Sequence, residues 1–129
     1  MKNEDKPKTV VLDTNSLIYM VKAHMDLREQ IPYLLGKSEI IIPKCVVNEL
    51  IGLSSGNVDA RTALGMIDRF KIVESDGSGD ECVLKTAVKV DGIVVTNDRD
   101  LSLKLQKKGI KCVMFTGKKR LAYWNIKES

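Results

Sequence analysis

Four acidic residues occupy positions from which their side chains could act together: Asp13, Glu49, Asp80 and Asp98. Asp13 and Asp98 each follow almost directly on a short apolar run, Asp80 follows a glycine-serine turn, and Glu49 lies within a helical pattern. Carboxylates held close together repel and raise one another's pKa, so such a cluster is reasonable chiefly when a divalent cation lies among them. The sequence therefore predicts a metal site if these four positions meet in space.

The donor set indicates which metal and which reaction to expect. The chain has one histidine, and its three cysteines are far apart, so oxygen atoms are the available ligands. Oxygen ligands suit Mg²⁺ or Mn²⁺ better than zinc or copper. Such ions activate water for attack on phosphorus and stabilise the leaving oxygen. We therefore expect phosphodiester hydrolysis.

The elements that must position these acids alternate along the chain. Buried-strand patterns lie at 9–12, 39–42, 72–73, 92–96 and 111–115, and helical patterns at 14–21, 26–35, 44–53, 58–70, 79–89 and 98–108. We expect Pro32 to interrupt or shift the second helix, Ser78 to cap the fifth and Gly92 to end it. A strand or packed tail is expected at 121–126. The alternation predicts an α/β protein with a mainly parallel sheet flanked by helices.

Parallel strands end at a common edge of the sheet, and ligands of such sheets bind there. Asp13 and Asp98 lie at the carboxyl ends of two strands, and Asp80 lies in the first turn of the helix before the 92–96 strand. Glu49, about two turns into its helix, reaches the same edge if that helix packs closely. Each acid has a simpler interpretation, as a helix cap, a favourable charge at a helix N-terminus or a solvated residue. Spacing alone leaves that interpretation open.

At these residues the sequence resembles the PIN-domain (PilT N-terminus) family. Val10–Asn15 is similar to its first motif and Val95–Leu101 to its last, while Pro43–Leu50 and Asp80-Glu81 resemble its middle acidic positions. The resemblance implies a Rossmann-like three-layer fold and an Mg²⁺- or Mn²⁺-dependent ribonuclease that often forms homodimers. It implies four metal-site acids, Asp13, Glu49, Asp80 and Asp98.

Three further positions match polar residues near the family's metal site: Asn15, Thr96 and Asp100, the last as an additional acid. The chain most resembles archaeal single-domain members related to ribosomal-RNA processing nucleases, with ribosome-assembly factors as partners. The toxin branch of toxin–antitoxin pairs, with an antitoxin partner, is the close alternative. The resemblance covers about 9–115, and we expect a tail at 1–8 and a single domain at 9–129.

Positive charge is concentrated in the last quarter of the chain, where it could hold RNA phosphates. The residues we expect to bind RNA are Lys107, Lys108, Lys118, Lys119 and Arg120. A solvated helix face is an equally good interpretation of the lysines. Tyr123 and Trp124 could stack on bases, although core packing is the better interpretation of Trp124.

Whole-chain properties set broad limits. The chain has 129 residues and a net charge of +4, which permits a polyanionic partner without requiring one. Its three cysteines, Cys45, Cys82 and Cys112, are an odd number in apolar settings, which argues against a disulfide framework. The cysteines therefore favour a cytoplasmic protein. No apolar run approaches the roughly 20 residues of a membrane span, so we expect that the protein does not enter the membrane.

Three functional hypotheses follow from the sequence. The first is a metal-dependent endoribonuclease acting on single-stranded RNA. The second is a non-catalytic module of the same fold that binds RNA or protein. The third is a phosphohydrolase acting on small phosphate esters, which would hydrolyse a chromogenic monoester but leave RNA intact.

Overall fold

A computed structural model describes residues 6–117 and 119–124. Within them the chain forms six strands and six α-helices. The strands are β1 (Lys8–Leu12), β2 (Ser38–Pro43), β3 (Lys71–Val73), β4 (Ile93–Val95), β5 (Cys112–Phe115) and β6 (Leu121–Tyr123). The helices are α1 (Thr14–Lys22), α2 (Leu27–Leu35), α3 (Lys44–Leu53), α4 (Val58–Leu64), α5 (Gly79–Val90) and α6 (Arg99–Lys107).

All six strands belong to one sheet with the order β3-β2-β1-β4-β5-β6. The first five strands are parallel, and β6 pairs antiparallel with β5 at the edge. The chain moves outward from β1 through β2 to β3 and then returns to the other side of β1 with β4. This reversal opens a crevice at the carboxyl ends of β1 and β4, where open parallel sheets bind ligands. The predicted α/β class with a mainly parallel sheet is confirmed.

Burial on both faces explains why the strand segments of the sequence are uniformly hydrophobic. Val10, Val11, Val94 and Val95 in the two central strands are completely buried, because helices cover both faces of the sheet. Burial of an aliphatic side chain stabilises the fold by about 1.5–3 kcal/mol. The central strands thus give the acids that follow them a rigid base.

Several local predictions need correction. Helix α2 runs through Pro32 without interruption, although the proline lacks the N–H that would bond the carbonyl oxygen of Arg28 one turn earlier. Helix α4 ends at Leu64, and a 3-10 turn at Ile67–Arg69 follows it. Ser78 begins α5 without a capping hydrogen bond from its side chain.

The end of α5 also differs from the prediction. Asp91, with a φ of 52°, is the left-handed residue there, not Gly92. Gly92 is needed for a different reason, because a Cβ atom at this position would lie 3.1 Å from the carbonyl oxygen of Thr9 in β1. Gly92 therefore allows the end of α5 to approach the central strand closely.

The cysteine prediction is wrong, because Cys45 and Cys82 form a disulfide bond. The two residues are 37 positions apart in sequence, but the packing of α3 against α5 brings their Cα atoms to 6.7 Å. Cys112 is free and buried. The cysteine argument for a reducing compartment no longer holds, and the cytoplasmic location stays a prediction. No helix among the described residues is long and apolar enough to cross a bilayer.

Candidate active site

The four predicted acids line one small cleft at the carboxyl edge of the sheet. The cleft has a volume of about 70 Å³ and is lined by Asp13, Thr14, Asn15, Glu49, Gly79, Asp80, Val83 and Asp98. Its walls are the ends of β1 and β4 and parts of α1, α3 and α5. The fold thus gathers side chains that are up to 85 residues apart in sequence, from position 13 to position 98.

Asp13 is the most deeply placed of the four acids, with a relative exposure of 6%. It is the N-cap of α1, and its Oδ1 accepts a hydrogen bond of 2.8 Å from the backbone N–H of Ser16. Burial raises the pKa of Asp13, while hydrogen bonds from Ser16 and Thr96 oppose that rise, and the charge of Asp80 adds to it. The capping bond uses one carboxylate oxygen and leaves the other for a further partner.

The Ser16 hydroxyl contacts both Oδ1 of Asp13 and the carbonyl oxygen of Val95. A hydroxyl has a single proton and can donate it to only one of these acceptors. Through these two contacts Ser16 connects the Asp13 carboxyl group to the end of β4.

Asp98 occupies the equivalent place after β4. It is the N-cap of α6, and its Oδ1 accepts a hydrogen bond of 3.1 Å from the backbone N–H of Leu101. Its own backbone N–H donates to the Thr96 hydroxyl at 3.0 Å. The simpler interpretation of Asp13 and Asp98 as helix caps is thus correct, and it is compatible with their place in the cleft.

Asn97 and Trp124 hold the end of β4 in place. Oδ1 of Asn97 accepts a hydrogen bond of 2.7 Å from the backbone N–H of Phe115 in β5. The Trp124 indole N–H donates to the carbonyl oxygen of Thr96 at 2.9 Å. Trp124 is half-buried and packs against the core, as its preferred interpretation predicts. The C-terminal segment therefore supports the strand end from which Asp98 projects.

Glu49 and Asp80 reach the cleft from helices. Oε1 of Glu49 accepts a hydrogen bond of 2.7 Å from the Thr14 hydroxyl. The pKa of Asp80 is raised, first by partial burial of its carboxyl group in the cleft and next by the charge of Asp98. Lys104 in α6 lowers it, whereas Glu49 and Asp100 raise it further. These influences show that the acids of the cleft act on one another electrostatically.

The side chains of the cleft fit a hard divalent cation, because every polar one offers an oxygen ligand from a carboxylate, a hydroxyl or an amide. The side chains do not form a complete cage as they stand. Among residues 6–117 and 119–124, no three His, Cys, Asp or Glu side chains are arranged to hold a metal ion together. Glu49 is turned towards Thr14, and one oxygen of Asp13 is engaged by Ser16. Binding of a cation would therefore require small rotations of these side chains.

The supporting residues divide into two groups. Asn15 lines the cleft and is exposed, and Thr96 is fully buried beneath it. Asp100 is exposed in the first turn of α6 and does not line the cleft. Two positions that the sequence analysis did not place at the site now belong to it: Thr14 and Ser16, which orient acids. The hydroxyl residues directly after Asp13 were the available signal for both. Lys104 in α6 acts on Asp80 through its charge.

The predicted RNA-binding residues lie in two different places. Lys107 and Lys108 are at the C-terminal end of α6, roughly 13 Å along the helix from its start at Asp98. Lys119 and Arg120 lie in the turn after β5, at the edge that also carries the acids. Lys118 is outside the described residues.

Lys119 and Arg120 line a cavity of about 360 Å³ together with Gln30, Tyr33, Leu34 and Leu121. Tyr33 is 86% exposed, compared with 43% for Tyr123. It is thus the more accessible aromatic ring beside positive charge. The sequence analysis did not single it out, because its neighbours in space come from a segment almost 90 residues later in the chain.

Comparison with known proteins identifies the family of the chain. A family model described as a PIN-like domain matches residues 10–118. The chain belongs to the PIN-like domain family. The predicted family membership and Rossmann-like PIN fold are thereby confirmed.

Relatives of this PIN domain include ribonucleases. The ribonuclease VapC9 of Archaeoglobus fulgidus is 32% identical over 111 residues, which cover 82% of each chain. The solved structure of the PIN domain endonuclease Utp24 superposes with a TM-score of 0.78 at 26% identity and covers 91% of each chain. The Rickettsia felis VapBC2 structure, bound to a promoter DNA fragment, has a TM-score of 0.61 at 18% identity, with coverage of 82% of this chain and 98% of that one. At that identity the likeness shows the fold alone.

Proposed function

We propose that this PIN domain is an endoribonuclease that hydrolyses phosphodiester bonds of single-stranded RNA with Mg²⁺ or Mn²⁺. The observation that carries the proposal is the meeting of Asp13, Glu49, Asp80 and Asp98 in one cleft. Two relatives that are named as a ribonuclease and an endonuclease support the reaction class. The cleft is small, with a volume of about 70 Å³, and Asn15, Glu49 and Asp80 at its rim are exposed, which suits a polymeric substrate better than an enclosed small ester.

In the proposed mechanism, Asp13 and Asp98 hold the cation from the two central strands. Glu49 and Asp80 complete the site from α3 and α5. The cation, when bound, supplies Lewis acidity that activates water and stabilises the leaving oxygen. The strand ends keep Asp13 and Asp98 at a fixed separation, since Leu12 and Val95 are paired in the sheet.

Other residues of the chain would bind and orient the RNA. Asn15 lines the cleft and would contact the phosphate at the cleavage site, and the positive charge of Lys104 would act on the same site from α6. Lys119 and Arg120 would hold a neighbouring phosphate, and Tyr33 offers a face on which a base can stack. Lys107 and Lys108, at the far end of α6, would contact only a more distant part of the strand. Asp100 has the role of a further acid that acts through water.

The biological role has two candidates. One is processing of ribosomal RNA with ribosome-assembly partners, and the other is a toxin with an antitoxin partner. The relatives named as an endonuclease and a ribonuclease are compatible with both. Homodimer formation is part of both proposals. Growth arrest on expression of the active protein, and its absence with Asp98→Asn, would support the toxin. Normal growth together with altered ribosomal-RNA precursors in a deletion strain would support processing.

The nuclease proposal is tested by cleavage of a labelled single-stranded RNA with Mn²⁺ or Mg²⁺. Asp13→Asn and Asp98→Asn should abolish cutting, because each removes one negative charge from the cleft. Asp68→Asn is the matched control, since Asp68 is exposed in the 3-10 turn before β3, at the opposite edge of the sheet. Equal cleavage by the parent protein and all three variants would indicate a contaminating nuclease and contradict the proposal.

A further inference from the structure

The Cys45–Cys82 disulfide joins the first turns of two helices that carry site residues. Cys45 is the second residue of α3, and Cys82 is the fourth residue of α5. Glu49 follows Cys45 by one helical turn, and Asp80 precedes Cys82 by two residues. The covalent link thus lies directly beside the two acids that reach the cleft from helices.

The four acids depend on two separate supports. Asp13 and Asp98 follow strands that are hydrogen-bonded to each other in the sheet. Glu49 and Asp80 have no such backbone pairing, because they lie on different helices. Among the described residues, no side-chain hydrogen bond or ion pair joins α3 to α5. The disulfide is therefore the covalent link that reinforces the packing of these two helices near the cleft.

The position of the sulfur atoms determines how the bond can be opened. Cys82 is completely buried, whereas Cys45 is partly exposed. A dithiol reductant would attack Sγ of Cys45, break the S–S bond and release Cys82 as a thiolate that then takes up a proton. Attack by the second thiol of the reductant releases Cys45 and closes the reductant into its own disulfide. The protein gains two electrons, and the dithiol loses two.

We propose that this disulfide is a redox-controlled brace for the cation site. The oxidised protein holds Glu49 and Asp80 at the spacing that cation binding needs. Reduction by a dithiol removes the covalent link between α3 and α5, loosens their packing and weakens cation binding. The inference rests on the proposed metal site, but it concerns regulation rather than the reaction itself.

Thermodynamic linkage makes the proposal reciprocal. If reduction weakens cation affinity by some factor, a saturating cation must make the disulfide harder to reduce by the same factor. The two effects are measured by independent methods. Their agreement checks one measurement against the other. The circular dichroism spectrum of the reduced chain distinguishes coupling through the cleft from a general loss of stability.

The experiment uses the full chain carrying Cys112→Ala, so that Cys45 and Cys82 are the only thiols that respond. Mn²⁺ affinity is measured by calorimetric titration of the oxidised and the dithiothreitol-reduced protein. We expect reduction to weaken the affinity about fivefold or more. The ratio of reduced to oxidised dithiothreitol at half-reduction should rise by the same factor when Mn²⁺ is saturating.

Cys45→Ser combined with Cys82→Ser imitates the reduced protein. It should bind Mn²⁺ weakly both with and without reductant. Equal Mn²⁺ affinity in the oxidised and reduced proteins would overturn the proposal. So would a reduced chain whose circular dichroism spectrum shows that it is unfolded at the assay temperature, because the bond would then be purely structural.

RNA cleavage in the same samples separates the two proposals. If Mn²⁺ affinity follows the redox state but neither form cuts RNA, the nuclease proposal fails and the brace stands. If both forms cut RNA equally and bind Mn²⁺ equally, the brace fails and the nuclease stands.

Discussion

The Thr14 hydroxyl donates a hydrogen bond of 2.7 Å to Oε1 of Glu49 and joins α1 to α3 beside the acid cleft. Thr14 is itself buried, so its side chain is fixed by packing, whereas Glu49 is exposed. The bond therefore restricts the more mobile partner. Thr14 is a positioning residue in the proposed mechanism, since it acts through Glu49.

Replacing Thr14 by Val keeps the branched shape and removes the donor. Because a hydrogen bond to a charged group contributes about 1.5–3 kcal/mol, we expect Mn²⁺ affinity or the cleavage rate constant to fall about tenfold. Thr14→Ser retains the hydroxyl and should stay within about twofold of the parent protein. Titration with Mn²⁺ and single-turnover cleavage measure the two quantities. An equal loss in both variants would show that packing, not the hydrogen bond, is responsible.

The raised pKa of Asp13 has a consequence for stability. The folded state binds the Asp13 proton more tightly than the unfolded chain does, because burial disfavours the ionised form. The resulting stabilisation is complete below the unfolded pKa of about 3.9 and is lost as the pH rises through the higher folded value. At neutral pH and without metal, ionisation of the buried Asp13 therefore lowers the free energy of unfolding.

We therefore expect Asp13→Asn to raise the melting temperature of the metal-free protein at pH 7 by about 3 °C. The asparagine oxygen can still accept the capping bond from Ser16. The same substitution should abolish cleavage and the rise in melting temperature that Mn²⁺ causes in the parent protein. Thermal unfolding in a chelator and in Mn²⁺ tests this. A lower melting temperature in the chelator would contradict the expected sign.

Reduction of the Cys45–Cys82 bond should also lower global stability. The bond closes a loop across 37 residues of sequence, for which the chain-entropy model gives about 3–4 kcal/mol. We expect the free energy of unfolding in urea to fall by that amount on addition of dithiothreitol. Cys112→Ala should not alter the difference, because Cys112 is not part of the bond. An unchanged unfolding midpoint would mean that the bond contributes nothing to the fold.

Trp124→Phe tests the support beneath Asp98. The variant keeps an aromatic ring but leaves the carbonyl oxygen of the fully buried Thr96 without its indole donor. We expect the free energy of unfolding to fall by about 1–2 kcal/mol. Tyr123→Phe, a change on an exposed neighbour in β6, should have almost no effect. Similar losses of unfolding free energy in both variants would show that general disturbance of the β6 segment, and not the lost indole hydrogen bond, is responsible.

Two pairs of basic residues allow a matched test of RNA binding. Lys119 and Arg120 lie at the edge with the acids, and Lys107 and Lys108 lie at the far end of α6. Replacing the first pair by alanine should reduce the slope of log affinity against log salt by about 1.4, because two phosphate contacts on a single strand are lost. Replacing Lys107 and Lys108 by alanine should change the slope less. A larger change in slope for the Lys107 and Lys108 variant would show that RNA binds along the end of α6 instead.

The sequence determined most of the architecture and the positions of the acids. Uniformly apolar strands such as Val10–Leu12 that alternate with helices are typical of a parallel sheet covered on both faces, and acids that directly follow such strands emerge at one edge. Asp13 and Asp98 were predictable for this reason. Glu49 and Asp80 required the additional assumption that α3 and α5 pack beside that edge.

Tertiary structure decided the contacts between distant segments. Local pattern could not show that α3 packs on α5 closely enough to bond Cys45 to Cys82, because this depends on the direction of both helices in space. The same reason explains why the Trp124 bond to Thr96 and the place of Tyr33 beside Lys119 and Arg120 were not foreseen. Periodicity determines which face of an element is buried, whereas the partner of that face is selected only when the whole core packs.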